Sequence, residues 1–136
     1  MKIKTTTRST IAQALIASMA SGTANANPVL EIYDGTMPDN VGDTVTSTLL
    51  ATLALTPTVA TEANGVITFD AITEDSAADA TATAAWARIL DRDEVESVYL
   101  TVSAIDAGGE VQLNSVDLVA GVSVSISSGV ITVGGG

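Results

Sequence analysis

The spacing of apolar residues changes once along this chain, and that change constrains the fold more than any other feature of the sequence. Before residue 28 the apolar residues recur at helical spacing, whereas from Val29 onward they alternate with polar residues, as in strands that bury one face. The alternation is clearest in segments 97–102 and 122–127. We therefore predict two parts, an N-terminal arm with a short helix and linker at residues 1–28 and a β-sandwich domain at residues 29–136.

The β domain is predicted to contain about eight short strands separated by glycine-containing turns such as Asn64-Gly65. No clear helical pattern interrupts them, which favours an all-β fold, either an antiparallel β-sandwich or a jelly roll. The apolar residues of segment 111–118 change parity, and this predicts a bulge or bend near Ser115. The strands are expected at about residues 29–33, 48–55, 66–73, 82–90, 97–102, 111–118, 122–127 and 130–133.

The arm is predicted to form a short amphipathic helix of about three turns. Thr7 or Ser9 would cap its N-terminus and Gly22 would stop it, and residues 21–28 are interpreted as a linker to the β domain. So short a helix is marginal in water and needs a surface to cover, either its own body or a partner. Its apolar stripe is formed by Ile11, Leu15, Ile16 and Met19.

The same arm also resembles a secretory signal peptide. Lysines near Met1 precede an apolar stretch at residues 11–20 and an Ala-Asn-Ala site at residues 24–26. Gln13 and Ser18 interrupt the apolar stretch, so the alternative that it leaves open is a secreted or cell-surface binding module with a cleaved leader. A membrane-spanning helix would need about 20 consecutive apolar residues, so no membrane partner is expected.

Charge is segregated along the chain. The first 30 residues contain three basic residues and no acid, whereas the rest contains all 16 acids with only Arg88 and Arg92, a net charge of −14. That acidic body would repel phosphates, so no nucleic-acid partner is expected. A basic arm favours contact with an acidic neighbour, because opposite potentials steer association. The candidate partner-binding residues are Lys2, Lys4, Arg8, Ile11, Leu15, Ile16 and Met19.

The residue types available restrict the chemistry of the chain. It has no Cys and no His, which excludes disulfides, thiolate or imidazole zinc sites and the Ser-His-Asp triad. Calcium is an alternative at two acidic segments, 34–43 and 91–96, but a solvated hairpin turn explains the second more simply, because Glu96 occupies the EF-hand glycine position. With four aromatic residues a sugar cleft is not expected either, and Arg88 beside Trp86 is interpreted as packing. We expect no enzyme activity, no cofactor and no metal.

The edge strands of the β domain lack the usual protection against association. Lysines commonly protect such edges, and no lysine follows Lys4. A symmetric oligomer or a larger lattice would cover them.

Several segments carry a resemblance to a known family. The most specific are residues 32–38, Ile-Tyr-Asp-Gly-Thr-Met-Pro, and residues 75–86, Asp-Ser-Ala-Ala-Asp-Ala-Thr-Ala-Thr-Ala-Ala-Trp; segments 49–55, 65–69 and 113–115 add to them. Over most of its length the chain resembles the small β-rich capsid decoration, or cement, proteins of tailed bacteriophages. It departs from their pattern at Ala82, where glycine is usual.

The resemblance implies a structural virion protein with no catalytic residue. Such a protein would lie on the outer surface of the capsid, at local threefold points, often as a homotrimer, and would bridge neighbouring subunits of the major capsid protein. The alternative within the same kind of particle is a tail, tail-tip or fibre component.

Overall fold

The computed structural model describes residues 1–134 and shows a mostly β protein with one N-terminal helix. The helix begins the chain, and ten short strands follow within the described residues. The elements are α1 Thr5–Met19, β1 Val29–Tyr33, β2 Leu49–Ala54, β3 Ala60–Ala63, β4 Val66–Phe69, β5 Ala82–Thr83, β6 Trp86–Leu90, β7 Glu96–Ala104, β8 Val111–Leu113, β9 Asp117–Leu118 and β10 Ser128–Thr132. Residues 135–136, the end of the predicted β domain, lie outside the described residues.

Eight of the strands form one strongly curled sheet, in the order β2-β1-β6-β7-β8-β10-β4-β3. Strands β5 and β9 pair separately as a small second sheet. All neighbours in the large sheet are antiparallel except β7 and β8, which run parallel. The sheet is therefore mixed, and the expectation of a purely antiparallel architecture is wrong at this pair.

The parallel pair is joined by only six residues, 105–110, whereas parallel neighbours usually need a crossover of a dozen or more. The short return is possible because the chain turns back at two residues with positive φ, Asp106 at 62° and Gly108 at 97°. Gly109 then passes so close to β7 that a Cβ there would lie 2.8 Å from the Ser103 Oγ. Only a residue without a side chain fits there.

The predicted strands agree with the structure in several places and fail in others. Strand β1 covers residues 29–33 as predicted, and segment 111–118 divides into β8 and β9 on either side of Ser115. The strand predicted at 122–127 is wrong, because within it only Val124 forms a bridge, to Asp75. Strand β3 was missed, since its sequence, Ala-Thr-Glu-Ala, has little of the β-branched or aromatic character typical of strands.

The turn between β3 and β4 shows how the sequence fixes register locally. Ala63 and Val66 face each other, and the two residues between them, Asn64 and Gly65, have φ values of 53° and 83°. Positive φ at both central residues is the backbone of a type I′ hairpin, for which Asn-Gly is the preferred sequence. The turn signal at residues 64–65 is thus confirmed.

The outer edge of β2 is covered by the chain itself. Segment 73–79 runs beside it: the Thr73 amide donates to the Ala54 carbonyl at 3.0 Å and the Asp79 amide donates to the Leu50 carbonyl at 2.8 Å. Between them the Thr52 amide donates to a carboxylate oxygen of Asp75 at 2.9 Å. This edge therefore needs no second molecule to satisfy it, and it does not support the expectation that open edges require an oligomer.

One aliphatic core fills the inside of the curled sheet. Its members come from both ends of the sheet, with Leu30 and Ile32 on β1 and Ile67 on β4, and helix α1 adds Ala12 and Met19. All five side chains are fully buried. Within residues 1–134 none of its buried members is aromatic, although Phe69 packs against it, so it is built from small side chains as the composition predicts.

Candidate functional site

Helix α1 begins one turn earlier than predicted. Lys4 is its N-cap residue, in an extended conformation with φ −60° and ψ 147°, and no side chain caps the helix, so the predicted caps at Thr7 and Ser9 are wrong. The helix ends at Met19, and Gly22 follows with φ +98°. Its 15 residues make about four turns rather than three.

The helix covers its own body. Ala12 and Met19 are completely buried, and Leu15 and Ile16 are partly buried against the core. Ile11 lies at the margin of the covered face with 45% of its surface exposed, so the predicted stripe is wrong at that residue. The error arises because the exposed side also carries Ala14 and Ala17, which leaves the sequence little contrast to indicate the buried face.

Three polar contacts place the helix across one end of the curled sheet. The Arg8 Nε donates to the Val133 carbonyl at 3.2 Å, and the Gln13 amide donates to the Glu62 carboxylate at 3.1 Å. Further along, the Ser18 and Ser97 hydroxyls lie 2.9 Å apart. The hydrogen bond from Gln13 is the main cause of a lowered pKa at Glu62. The loop between β1 and β2, residues 34–48, lies at the opposite end of the sheet.

Residues 21–28 were predicted as a linker, and the first five of them are fixed to the turn between β6 and β7. We call residues 21–25 the strap. The Arg92 amide donates to the Ser21 carbonyl at 2.8 Å, and the Asn25 amide donates to the Arg92 carbonyl at 2.9 Å. The strap is therefore part of the folded body rather than a free connection.

Asp93 makes the most concentrated contact with the strap. Its Oδ1 accepts hydrogen bonds from the Thr23 amide at 2.8 Å and the Ala24 amide at 2.9 Å. These two donors hold the pKa of Asp93 below its usual 3.8, because they favour the ionised carboxylate. Gly22 approaches the same residue so closely that a Cβ would lie 2.7 Å from the Asp93 backbone nitrogen.

The basic residues of the arm differ in their surroundings. Lys2 and Lys4 are exposed, whereas Arg8 is partly buried beside Gly65 and Val133. Within residues 1–134 both ion pairs belong to Arg88, and none involves Lys2, Lys4 or Arg8. The exposed end of the arm therefore presents two lysines that the described acids leave uncompensated.

Three of the four aromatic residues form a second cluster on the outer face of β1, β6 and β7. Trp86 stacks on Tyr33 with ring centroids 4.6 Å apart and contacts Tyr99 at 5.1 Å. The Trp86 Nε1 donates to the Asp34 carbonyl at 3.0 Å and to the Ser47 hydroxyl at 3.1 Å, so loop 34–48 closes over the ring. Trp86 is 1% exposed and has no face open to a ligand.

Arg88 joins this aromatic cluster to two carboxylates. Its Nε lies 2.7 Å from Glu31 and its Nη1 lies 3.1 Å from Glu96, while its guanidinium carbon lies 5.4 Å above the ring of Tyr33. The structure thus places Arg88 on Tyr33 rather than on Trp86. Burial, followed by the charge of Glu31, raises the pKa of Tyr33 to about 12, so the hydroxyl that donates to Glu31 stays protonated. The predicted partner of Arg88, Trp86, is therefore wrong, and the guanidinium instead joins Tyr33 to two carboxylates.

An open groove lies on the side of the molecule beyond β2. It is lined by residues 114–115, 117–119 and 122–125. We call it the valine groove because Val119 and Val122 stand at its rim with 51% and 55% of their surfaces exposed. A tight turn separates them, in which the Val122 amide donates to the Val119 carbonyl at 3.0 Å and Gly121 has φ +83°. The turn is held from behind by hydrogen bonds between Ala78 and residues 121–122.

In both acidic segments considered for calcium, carboxylates accept hydrogen bonds from donors of the same turn. The Asp91 Oδ1 accepts from the amides of Asp93 and Val95, and the Asp43 carboxylate accepts from Asn40. In residues 1–134 no group of three or more potential metal-ligating side chains converges. The helix of the described chain is too short and too polar to cross a membrane.

Comparison with protein families, curated proteins and solved structures finds no match. The function is therefore inferred from the residues described above and from the resemblance seen in the sequence.

Sequence reasoning missed the strap contacts and the valine groove. The groove was hidden because Val122, Val124 and Ile126 alternate with serines and were interpreted as one strand. In the structure Val124 is buried and Val122 is exposed, because the turn at Gly121 changes the direction in which Val122 faces. The glycine immediately before Val122, Gly121, was the one indication of a turn in the sequence.

Proposed function

We propose that this protein is a structural component of a tailed-phage virion that decorates the outer surface of the capsid and stabilises it by bridging neighbouring subunits of the major capsid protein. Two lines of support are independent of each other. One is the resemblance of segments 32–38 and 75–86 to capsid decoration proteins. The other is the distribution of charge on the folded chain.

The observation that carries the proposal is the exposed pair Lys2 and Lys4 at a fixed end of an acidic body. The helix that follows them is anchored by Ala12 and Met19 in the core, so the lysines are presented at a defined place. Basic groups so placed steer association with an acidic neighbour and fix its register. On a shell, many weak contacts of this kind add up through effective concentration.

The structure changes which arm residues are available to a partner. Met19 packs in the core and Leu15 and Ile16 pack against it, while Arg8 donates to Val133. The partner-binding set proposed here is therefore narrower than the sequence predicts, and consists of Lys2 and Lys4 with the exposed Ile11.

The proposal is tested by sedimenting the purified protein with undecorated heads of the phage that encodes it. We expect saturable, stoichiometric binding, and we expect Lys2→Ala with Lys4→Ala to weaken it. The matched control is Thr44→Asp with Thr46→Asp, which changes the net charge equally in the exposed loop at the opposite end of the molecule. Failure to bind heads, or binding to isolated tails alone, would overturn the proposal; the second result would favour the tail component.

A finer architecture is part of the same proposal. We infer that the two ends of the curled sheet, β2-β1-β6 and β10-β4-β3, face each other as the layers of a sandwich of the jelly-roll kind. The support is that buried residues of both ends, such as Ile32 and Ile67, belong to one core. An experimental structure in which these strands form one open layer would contradict it.

A further inference from the structure

The valine groove has a chemical character that another part of this chain matches. Two half-exposed valines stand at its rim, and its lining includes Asp117. Asp79 is also exposed in the segment that backs the turn through Ala78. None of the five basic residues of the chain lines the groove. It therefore favours a ligand that is both apolar and positively charged.

The first four residues, Met-Lys-Ile-Lys, have that composition. They precede α1, and Lys4 has an extended backbone. In an extended segment Met1 and Ile3 share one side, and the long side chains of Lys2 and Lys4 can place their amines at a nearby rim while their stems follow apolar surface. Met1, Lys2 and Lys4 are exposed and Ile3 is partly buried, and none of residues 1–4 lines the groove of its own chain.

We infer that residues 1–4 of one copy dock in the valine groove of a second copy. This inference rests on the proposed function, because that proposal assigns the basic arm to an acidic neighbour. The inference names a second copy of this chain as the first such neighbour. A contact between two different surfaces is heterologous, and it closes into a ring when the rotation allows. A closed ring of such contacts leaves no groove and no arm unpartnered.

The absence of cysteine makes a direct test possible in the full chain. Ile3→Cys protein, labelled with ¹⁵N, is mixed with unlabelled Val122→Cys protein under mild oxidation, and the mixed disulfide dimer is measured by mass. The matched control is Val95→Cys, which is 56% exposed but lies on the turn between β6 and β7. We expect several-fold more mixed dimer with Val122→Cys. Equal yields at the two valines would overturn the inference.

A second test uses charge rather than covalent capture, so it does not depend on how the cysteine variants fold. Ser123 and Ser125 are exposed residues of the groove. Ser123→Lys with Ser125→Lys should weaken self-association in sedimentation equilibrium about tenfold, as expected for two exposed charge contacts. Adding Lys2→Glu and Lys4→Glu to the same chain should restore it. Equal association of all three proteins, or a wild-type chain that stays at 13.7 kDa, would contradict the inference.

The outcomes separate this inference from the proposed function. If the mixed dimer fails to form but the wild-type protein still binds heads stoichiometrically, the arm contacts the capsid protein and the contact between copies is wrong. If the mixed dimer forms but heads are not bound, the assembly stands and the decoration proposal fails.

Discussion

Gly22 connects the helix to the rest of the fold at a position where only glycine fits without strain. It lies just after α1 with φ +98°, a conformation that side chains disfavour, and it also touches Asp93. These are two separate constraints, one on backbone conformation and one on space. A glycine elsewhere in the chain, Gly121, has a similar φ of +83°, but a Cβ added there would meet nothing within 4 Å.

That pair of glycines gives a first prediction. Gly22→Ala should lower the free energy of unfolding by about 2–4 kcal/mol, because backbone strain adds to a steric overlap. Gly121→Ala should lower it by about 1 kcal/mol, because only the strain remains. Urea unfolding followed by Trp86 fluorescence measures both. Equal losses in the free energy of unfolding would show that the steric contact with Asp93 does not contribute.

Arg88 gives a second prediction at this scale. Replacing it by methionine removes the partner of Glu31, whose side chain is only 14% exposed. We expect Arg88→Met to cost about 1–3 kcal/mol of stability, because a partly buried carboxylate loses its compensation. Adding Glu31→Gln should recover part of that loss, so the two changes should be non-additive in a double-mutant cycle. Simple additivity would mean that the ion pair contributes nothing beyond packing.

Helix α1 is the element whose position the sequence predicted least well. Its existence and its end near residue 20 were predictable from apolar spacing and Gly22. Its buried face was not, because Ala14 and Ala17 on the solvent side are as small and apolar as Ala12 on the buried side. Only the shape of the sheet end decides which side is covered, and no local pattern records that shape.

The third prediction compares a fully buried residue of the helix with a half-exposed one. Met19→Ala should destabilise the protein by about 2–5 kcal/mol, since it leaves a cavity at a fully buried site. Ile11→Ala removes a half-exposed side chain and should change stability by no more than about 0.5 kcal/mol. Thermal unfolding of the two variants compares them. Similar losses would place Ile11 against the body after all.

The strap gives a fourth prediction, which concerns pH. Asp93 and Glu62 both have lowered pKa values in the fold, so their ionised forms stabilise it at pH above their ordinary values of 3.8 and 4.5. That stabilisation is lost as the pH falls through the folded pKa values, below about pH 4. The Thr23 and Ala24 amide resonances should therefore titrate with a midpoint below 3.8. Asp93→Asn should abolish this titration, and a midpoint at or above 3.8 in the wild type would contradict the assigned contacts.

Strands and turns were predicted correctly where the local sequence pattern was strong. Strand β1 and the Asn64-Gly65 turn were predictable because alternation and turn chemistry agree there. The parallel pairing of β7 and β8 was not, because it depends on the close approach of Gly109 to Ser103, a contact between residues that no periodicity connects. For the same reason the valine groove, assembled from a turn and its neighbours, was visible only in three dimensions.

At the scale of the whole molecule, one end of the folded chain differs from the rest because it carries the helix, the strap and the exposed lysines of the arm. The helix and the strap close that end, and Lys2 and Lys4 extend from it, whereas all 16 acids of the chain follow residue 30. The edge of β2 is satisfied internally by segment 73–79. Assembly is therefore expected to depend on the arm and the valine groove rather than on the edge of β2.

A reconstruction of the phage particle by electron cryo-microscopy, at a resolution that shows side chains, tests the central claim most directly. We expect this protein at regular positions on the outer surface of the head, with density for residues 1–4 entering a contact with an acidic neighbour. A shell without it, or density restricted to the tail, would contradict the account.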